Sequence, residues 1–134
     1  MDIAGTFQET VEQFLIEDPR YPLDAYFFVR DGFEYAVRRF QEEQASLGKN
    51  AKNTLSGAEL SNGLKEFALD EFGPMAAFTL GEWNIFSTSD FGELVYNLIK
   101  MKLFSQNKGD KREDFDNLFD LQAELRRPYS DGQE

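Results

Sequence analysis

Residues 56–74 read SGAELSNGLKEFALDEFGP, and this one stretch contains the start, the buried face and the end of a helix. Ser56 followed by Glu59 is a capping box. Their side chains satisfy backbone N–H groups that a first helical turn leaves without partners. Leu60, Leu64, Phe67, Ala68 and Phe72 recur at intervals of three and four, which places them on one face of a 3.6-residue helix. Gly73 suits a left-handed stop, and Pro74, with no N–H to satisfy, suits the first position of the next helix.

The flanking segments follow the same pattern. Pro22 opens the longest predicted helix, residues 22–46, on a stripe of Tyr26, Val29, Phe33, Ala36, Val37 and Phe40. Phe27 and Phe28 widen that face, so its early part should be buried on more than one side. Gly32 weakens the helix by about 1 kcal/mol relative to Ala. A close neighbour or a slight bend would account for it. Residues 4–17 form a first helix through Phe7, Val11, Phe14 and Leu15, with Thr6 and Glu9 as its capping box. The loop LGKNAKNTL, residues 47–55, is the best internal boundary.

After Pro74 the spacing predicts a short helix over 74–83, with Met75, Phe78 and Trp83 as candidate core. A helix over 89–102 follows, capped by Ser89 or Asp90. It buries Phe91, Leu94, Val95, Leu98 and Met101 and exposes Glu93, Tyr96 and Asn97. Residues 103–121 read two ways. Leu103-Phe104 suits a short strand, and Phe115, Phe119 and Leu121 share a strand face, yet Phe115, Leu118 and Phe119 also satisfy a helix. The favoured reading is a small hairpin followed by a short helix. The fold expected is therefore mainly α, a single domain over 1–128 with about five helices. Helices in 4–46 pack on a winged-helix-like half, 56–125, with a small C-terminal β-hairpin, and residues 129–134 form a disordered tail.

Composition narrows the chemistry. Within 134 residues, 14 Phe, 5 Tyr and 1 Trp supply a sizeable core, so the chain is no disordered acidic segment. Cys and His are both absent, which removes thiol nucleophiles, Ser–His–Asp triads and Cys/His zinc sites from this chain. Neither phosphate-binding glycine fingerprint occurs. Asp114 and Asp116 begin like a calcium loop, but Leu118 and Phe119 occupy later positions that the loop needs for other residues. No cofactor is expected. With no long apolar run and no positively charged leader, the default is a cytoplasmic protein without a membrane span.

Three blocks carry a family resemblance: Tyr21-Pro22-Leu23-Asp24-Ala25-Tyr26, Leu55-Ser56-Gly57-Ala58-Glu59-Leu60, and Ser87-Thr88-Ser89-Asp90-Phe91-Gly92-Glu93-Leu94. With Trp83-Asn84-Ile85 and Asp114-Phe115 they resemble the conserved uncharacterised family found in planctomycete and verrucomicrobial bacteria, over roughly residues 8–125. That family has no established activity. The resemblance implies a bacterial cytoplasmic protein and transfers no catalytic residue. Asp90-Phe91-Gly92 is no kinase metal motif, because the glycine-rich loop, strand lysine and catalytic loop of that chemistry are missing.

The net charge is −11, which repels phosphate backbones at long range. The leading expectation is a non-catalytic module that binds a protein partner or a second copy of the chain. Trp83, Tyr21, Tyr26 and Tyr96 are its candidate contacts, since large aromatics anchor interfaces; each is also a natural core residue. The alternative is a winged-helix DNA-binding regulator using a local basic patch of Lys100, Lys102, Lys108, Lys111 and Arg112. A carboxylate-dependent enzyme or metal binder is the third reading, and it rests only on the abundance of Asp and Glu.

Overall fold

A computed structural model describes residues 3–49 and 54–130 of the chain. The first two helices, α1 (Ile3–Glu17) and α2 (Leu23–Ser46), are followed by α3 (Gly57–Phe72), α4 (Ala76–Glu82), α5 (Thr88–Lys100) and α6 (Leu121–Arg126). Short 3-10 turns occupy Gly73–Met75, Arg112–Phe115 and Arg127–Tyr129. The fold is mainly helical.

The local signals explain most boundaries. Ser56 Oγ accepts from Glu59 N at 3.1 Å, and Ser56 N donates to Glu59 Oε1 at 2.8 Å, so the predicted capping box opens α3. Gly73 ends that helix at φ 53°, a backbone conformation that costs glycine little. At the other end of the chain, α1 begins at Ile3, so Thr6 lies inside the helix and Thr6/Glu9 is not its N-terminal box. The centre of the 47–55 loop, residues 50–53, and residues 131–134 of the expected tail lie outside the described residues.

α2 and α3 pack so closely that neither Gly32 nor Gly63 has room for a Cβ. A Cβ on Gly63 would stand 2.3 Å from Ala36 Cβ, and one on Gly32 would stand 2.5 Å from Leu64 Cδ2. Gly32 therefore marks a close neighbour, as its place inside a helix suggested. Around this crossing a single apolar cluster draws on all six helices, including Val11, Tyr26, Leu64, Leu80, Leu98 and Leu125. α5 is the most enclosed: Thr88, Phe91, Gly92, Leu94, Val95, Asn97 and Leu98 are all buried along its 13 residues.

Three expectations need correction. No strand occurs among the described residues, so the hairpin at 103–121 and the wing it would form are absent. Lys102 and Asn117 take left-handed backbone angles, φ 62° and 53°, which interrupt an extended run. Asp120 then accepts from Ala123 N at 3.1 Å and starts α6 instead. Phe115 and Leu121 do reach the core together, but from a 3-10 turn and a helix. On α4 the core residues are Ala76, Ala77 and Leu80, whereas Met75 and Phe78 are 54% and 61% exposed. On α5, Asn97 is buried, and its amide donates to the Tyr26 hydroxyl at 3.0 Å.

The α2–α3 crossing gives a prediction whose sign opposes helix propensity. Gly→Ala inside a helix ordinarily stabilises by about 1 kcal/mol. At Gly63 the added methyl must displace Ala36, so Gly63→Ala should destabilise by about 1–3 kcal/mol, measured by urea unfolding. An unchanged or raised midpoint would show that the helices do not meet at this distance.

Candidate functional site

The first turn of α5 gathers the polar chemistry of the fold. Asp90 sits three residues after Ser87, the residue that precedes the helix. Its Oδ2 accepts from the backbone N–H groups of Phe86 at 2.8 Å and Ser87 at 3.1 Å. A carboxylate here also faces the positive end of the helix dipole. Its Oδ1 accepts from the hydroxyl of Tyr21, 69 residues earlier, at 2.5 Å. Tyr21 is fully buried. Burial first, then the hydrogen bond to the Asp90 carboxylate, pushes its phenol well above the usual range.

One turn further along α5, Glu93 is held between two arginines. Arg20 Nη2 lies 2.6 Å from Oε1, and Arg112 Nε lies 2.9 Å from Oε2. Arg112 Nη1 also reaches Asp116 Oδ1 at 2.7 Å, and that same oxygen accepts from Ser89 Oγ at 2.7 Å. The Ser89 hydrogen bond and then the Arg112 guanidinium hold the Asp116 carboxyl below the usual carboxylate range. Thr88 Oγ1 donates to Phe115 O at 2.7 Å and accepts from Leu118 N at 3.2 Å. Gly92 admits this strap: a Cβ there would stand 2.7 Å from Phe115 Cβ. The motif Ser-Asp-Phe-Gly-Glu therefore fastens the 20–21 linker to one side of α5 and the 112–118 segment to the other.

These contacts assign most of the sequence candidates to internal roles. Tyr21 and Tyr26 are fully enclosed, the first hydroxyl donating to Asp90 and the second accepting from Asn97, so neither offers a surface to a partner. Trp83 is half-buried, with its ring 5.9 Å from Phe28 and 5.7 Å from Phe72. Tyr96 is also half-buried, on the wall of a cavity beside α5. Arg112 is spent on Glu93 and Asp116. The four lysines are exposed, but Lys100 ends α5, Lys102 lies in the turn after it, and Lys108 and Lys111 sit on the following loop, with no wing to gather them. A groove-reading helix needs a free face, and α5 is mostly buried. Among the described residues no three acidic side chains form a group that could hold a metal ion, and no helix is long and apolar enough to cross a membrane.

Two features escaped sequence reasoning. The first is an apolar strip along α4. Met75, Phe78 and Phe86 are each more than half exposed. Phe86 lies against Gly81, which is three residues from Phe78 on α4. The second is a cavity of about 390 Å³ between the end of α5, the start of α3 and the loop 103–111. Spacing 75/78 was visible in the sequence and pointed to core; only the packing of the small residues Ala76 and Ala77 turned that face outward. No family model, curated protein or solved structure matches the chain.

The Tyr21–Asp90 bond is testable by mutation and pH together. Tyr21→Phe should cost about 1.5–3 kcal/mol at neutral pH, the usual range for a hydrogen bond to a charged group. In the unfolded chain a tyrosine ionises near pH 10; in the fold Tyr21 resists ionisation. Its stabilising contribution is therefore complete below about pH 10 and declines as pH rises above it. Urea titrations from neutral to alkaline pH should show the gap between wild type and variant narrowing. Asp116→Asn should flatten the acid limb instead, because a depressed carboxyl stabilises above about pH 4 and loses that contribution as pH falls through its lower folded value. Parallel curves for either pair would contradict these roles.

Proposed function

We propose that the chain is a non-catalytic protein-interaction module and that the α4 strip is its working face. The observation that carries this reading is the exposure of Phe78 on the seven-residue α4, of Met75 in the 3-10 turn before it and of Phe86 in the turn after it. Contiguous exposed apolar area marks interaction surfaces, and large aromatics carry much of the binding energy there.

The surroundings favour a particular partner. Asp70, Glu71 and Glu82, all exposed, lie at the end of α3 and on α4, beside the strip. A second copy would bring one −11 surface against another. A protein with an apolar groove rimmed by Lys or Arg complements both the aromatics and the charge, and its encounter would be steered by the opposite sign. The reading takes the chain as a cytoplasmic member of the bacterial family it resembles, with no activity carried over. A DNA-binding role finds less support, since the helix that would read bases is buried and Arg112 is already paired.

Site-specific photocrosslinking in the native cell tests this directly. A photoreactive phenylalanine at position 78 should yield a discrete adduct with a basic protein; the same group at exposed Glu34 on α2 should not. Phe86→Asp should weaken binding of that protein by about tenfold or more, a loss of about 1.4 kcal/mol, with the melting temperature unchanged. Identical adduct patterns at 78 and 34, or a crosslinked homodimer alone, would overturn the proposal.

A further inference from the structure

The cavity beside α5 lies away from the α4 strip and carries a separate reading. Its floor is apolar: Leu60, Val95, Ile99 and Leu103 line it, along with Phe33 and Phe104, whose rings pack at 5.1 Å. The cavity opens to solvent past exposed Ser105, Asn107 and Lys111. An apolar cavity of about 150 Å³ already accepts benzene, and this one measures about 390 Å³. Several lining side chains, among them Phe33, Ile99, Leu103 and Phe104, remain only partly buried although they pack on the core. A ligand would complete their burial.

The rim is preformed. Gln106 Nε2 donates to Asp110 O at 2.9 Å, Asp110 Oδ2 accepts from Asn107 N at 3.1 Å, and Asp114 Oδ2 accepts from Lys111 N at 3.0 Å. Loop 105–114 is thus tied by its own side chains and needs no ligand to take shape. One polar group on the cavity wall remains available. Tyr96 Oη accepts from Gln106 Nε2 at 3.5 Å, and among the described residues its own proton has no acceptor. Burial, and then the Asp110 carboxylate, raise the Tyr96 phenol above its ordinary value, so it stays a donor.

We infer that this cavity binds a small, uncharged, mostly apolar molecule carrying one hydrogen-bond acceptor, such as a ketone or an ester, with the acceptor on the Tyr96 hydroxyl. Charge selects against an anionic head, and the Tyr96 hydroxyl, which already accepts from Gln106, against a cationic one. Asp110 and Asp114 outnumber Lys111 at the rim and the whole chain is strongly negative, which disfavours a carboxylate head. An ammonium head would leave the Tyr96 proton without an acceptor.

The test uses the full chain, with N-phenyl-1-naphthylamine as a neutral fluorescent probe. The probe should bind saturably, one molecule per chain, and 2-octanone should displace it. Octanoate and octylamine should need about tenfold more, the usual worth of 1.4 kcal/mol. Leu103→Trp fills the cavity and should abolish binding; Ile99→Trp serves the same end if the first variant does not fold. Tyr96→Phe should keep the probe but weaken 2-octanone by about fivefold or more, within the range for one hydrogen bond. Phe78→Asp should bind the probe as wild type does, which separates this cavity from the α4 strip. Absence of saturable binding, unchanged binding in a folded filled variant, or equal displacement by all three competitors would overturn the inference.

Discussion

The Asp90 carboxylate divides its two oxygens between local and distant work. Oδ2 closes the first turn of α5, and Oδ1 receives the buried Tyr21 hydroxyl from the α1–α2 linker. α5 is the most enclosed helix of the fold, so where it begins and what is fixed to that beginning set the position of everything packed around it. Without the tyrosine, one oxygen would face a partly buried space with one donor fewer. Without the carboxylate, a buried phenol and two backbone N–H groups would lose an acceptor together, and buried polar groups without partners are costly. Glu93 and Asp116 repeat the device with charge, joining the 20–21 and 112–118 segments across the same turn.

That arrangement also changes the meaning of the basic run in residues 100–112. In sequence it reads as an island of five basic residues and one acid in an acidic chain. In the fold its members part company. Arg112 is half-buried and pairs with two carboxylates, Glu93 and Asp116. The lysines stay in solvent on the end of α5 and on the loop after it. Spacing along a chain is a poor guide to charge clustering where the intervening backbone makes two left-handed turns, at Lys102 and Gly109.

The helices themselves were largely legible, because amphipathic periodicity and end signals are local. Ser56 with Glu59 opens α3 and Gly73 ends it, as their chemistry requires, whereas Pro22, expected as the first helical residue, sits just before α2 with an extended backbone. What could not be read is decided by contacts between distant residues. Phe115, Phe119 and Leu121 alternate as in a strand, but a strand needs a partner, and Asp120 offered the backbone a helix start instead. Phe78 has the spacing of a core residue, yet it faces solvent because α4 packs through its alanines. Asp90 was recognised as belonging to the helix start; its bond to Tyr21 spans 69 positions, and no local pattern encodes that. The cavity left no linear trace, since it lies where the ends of two helices and a loop fail to fill the space between them.

Trp83 is the only tryptophan in the chain, and its surroundings give it a further property. It lies edge-on to Phe72 and tilted against Phe28, where α2, α3 and the end of α4 meet, with part of the ring still reaching solvent. Indole emission depends on the polarity around the ring, so separation of those helices would move this single fluorophore into water. The protein thus has a built-in optical reporter at the junction between its central helix crossing and its exposed apolar strip.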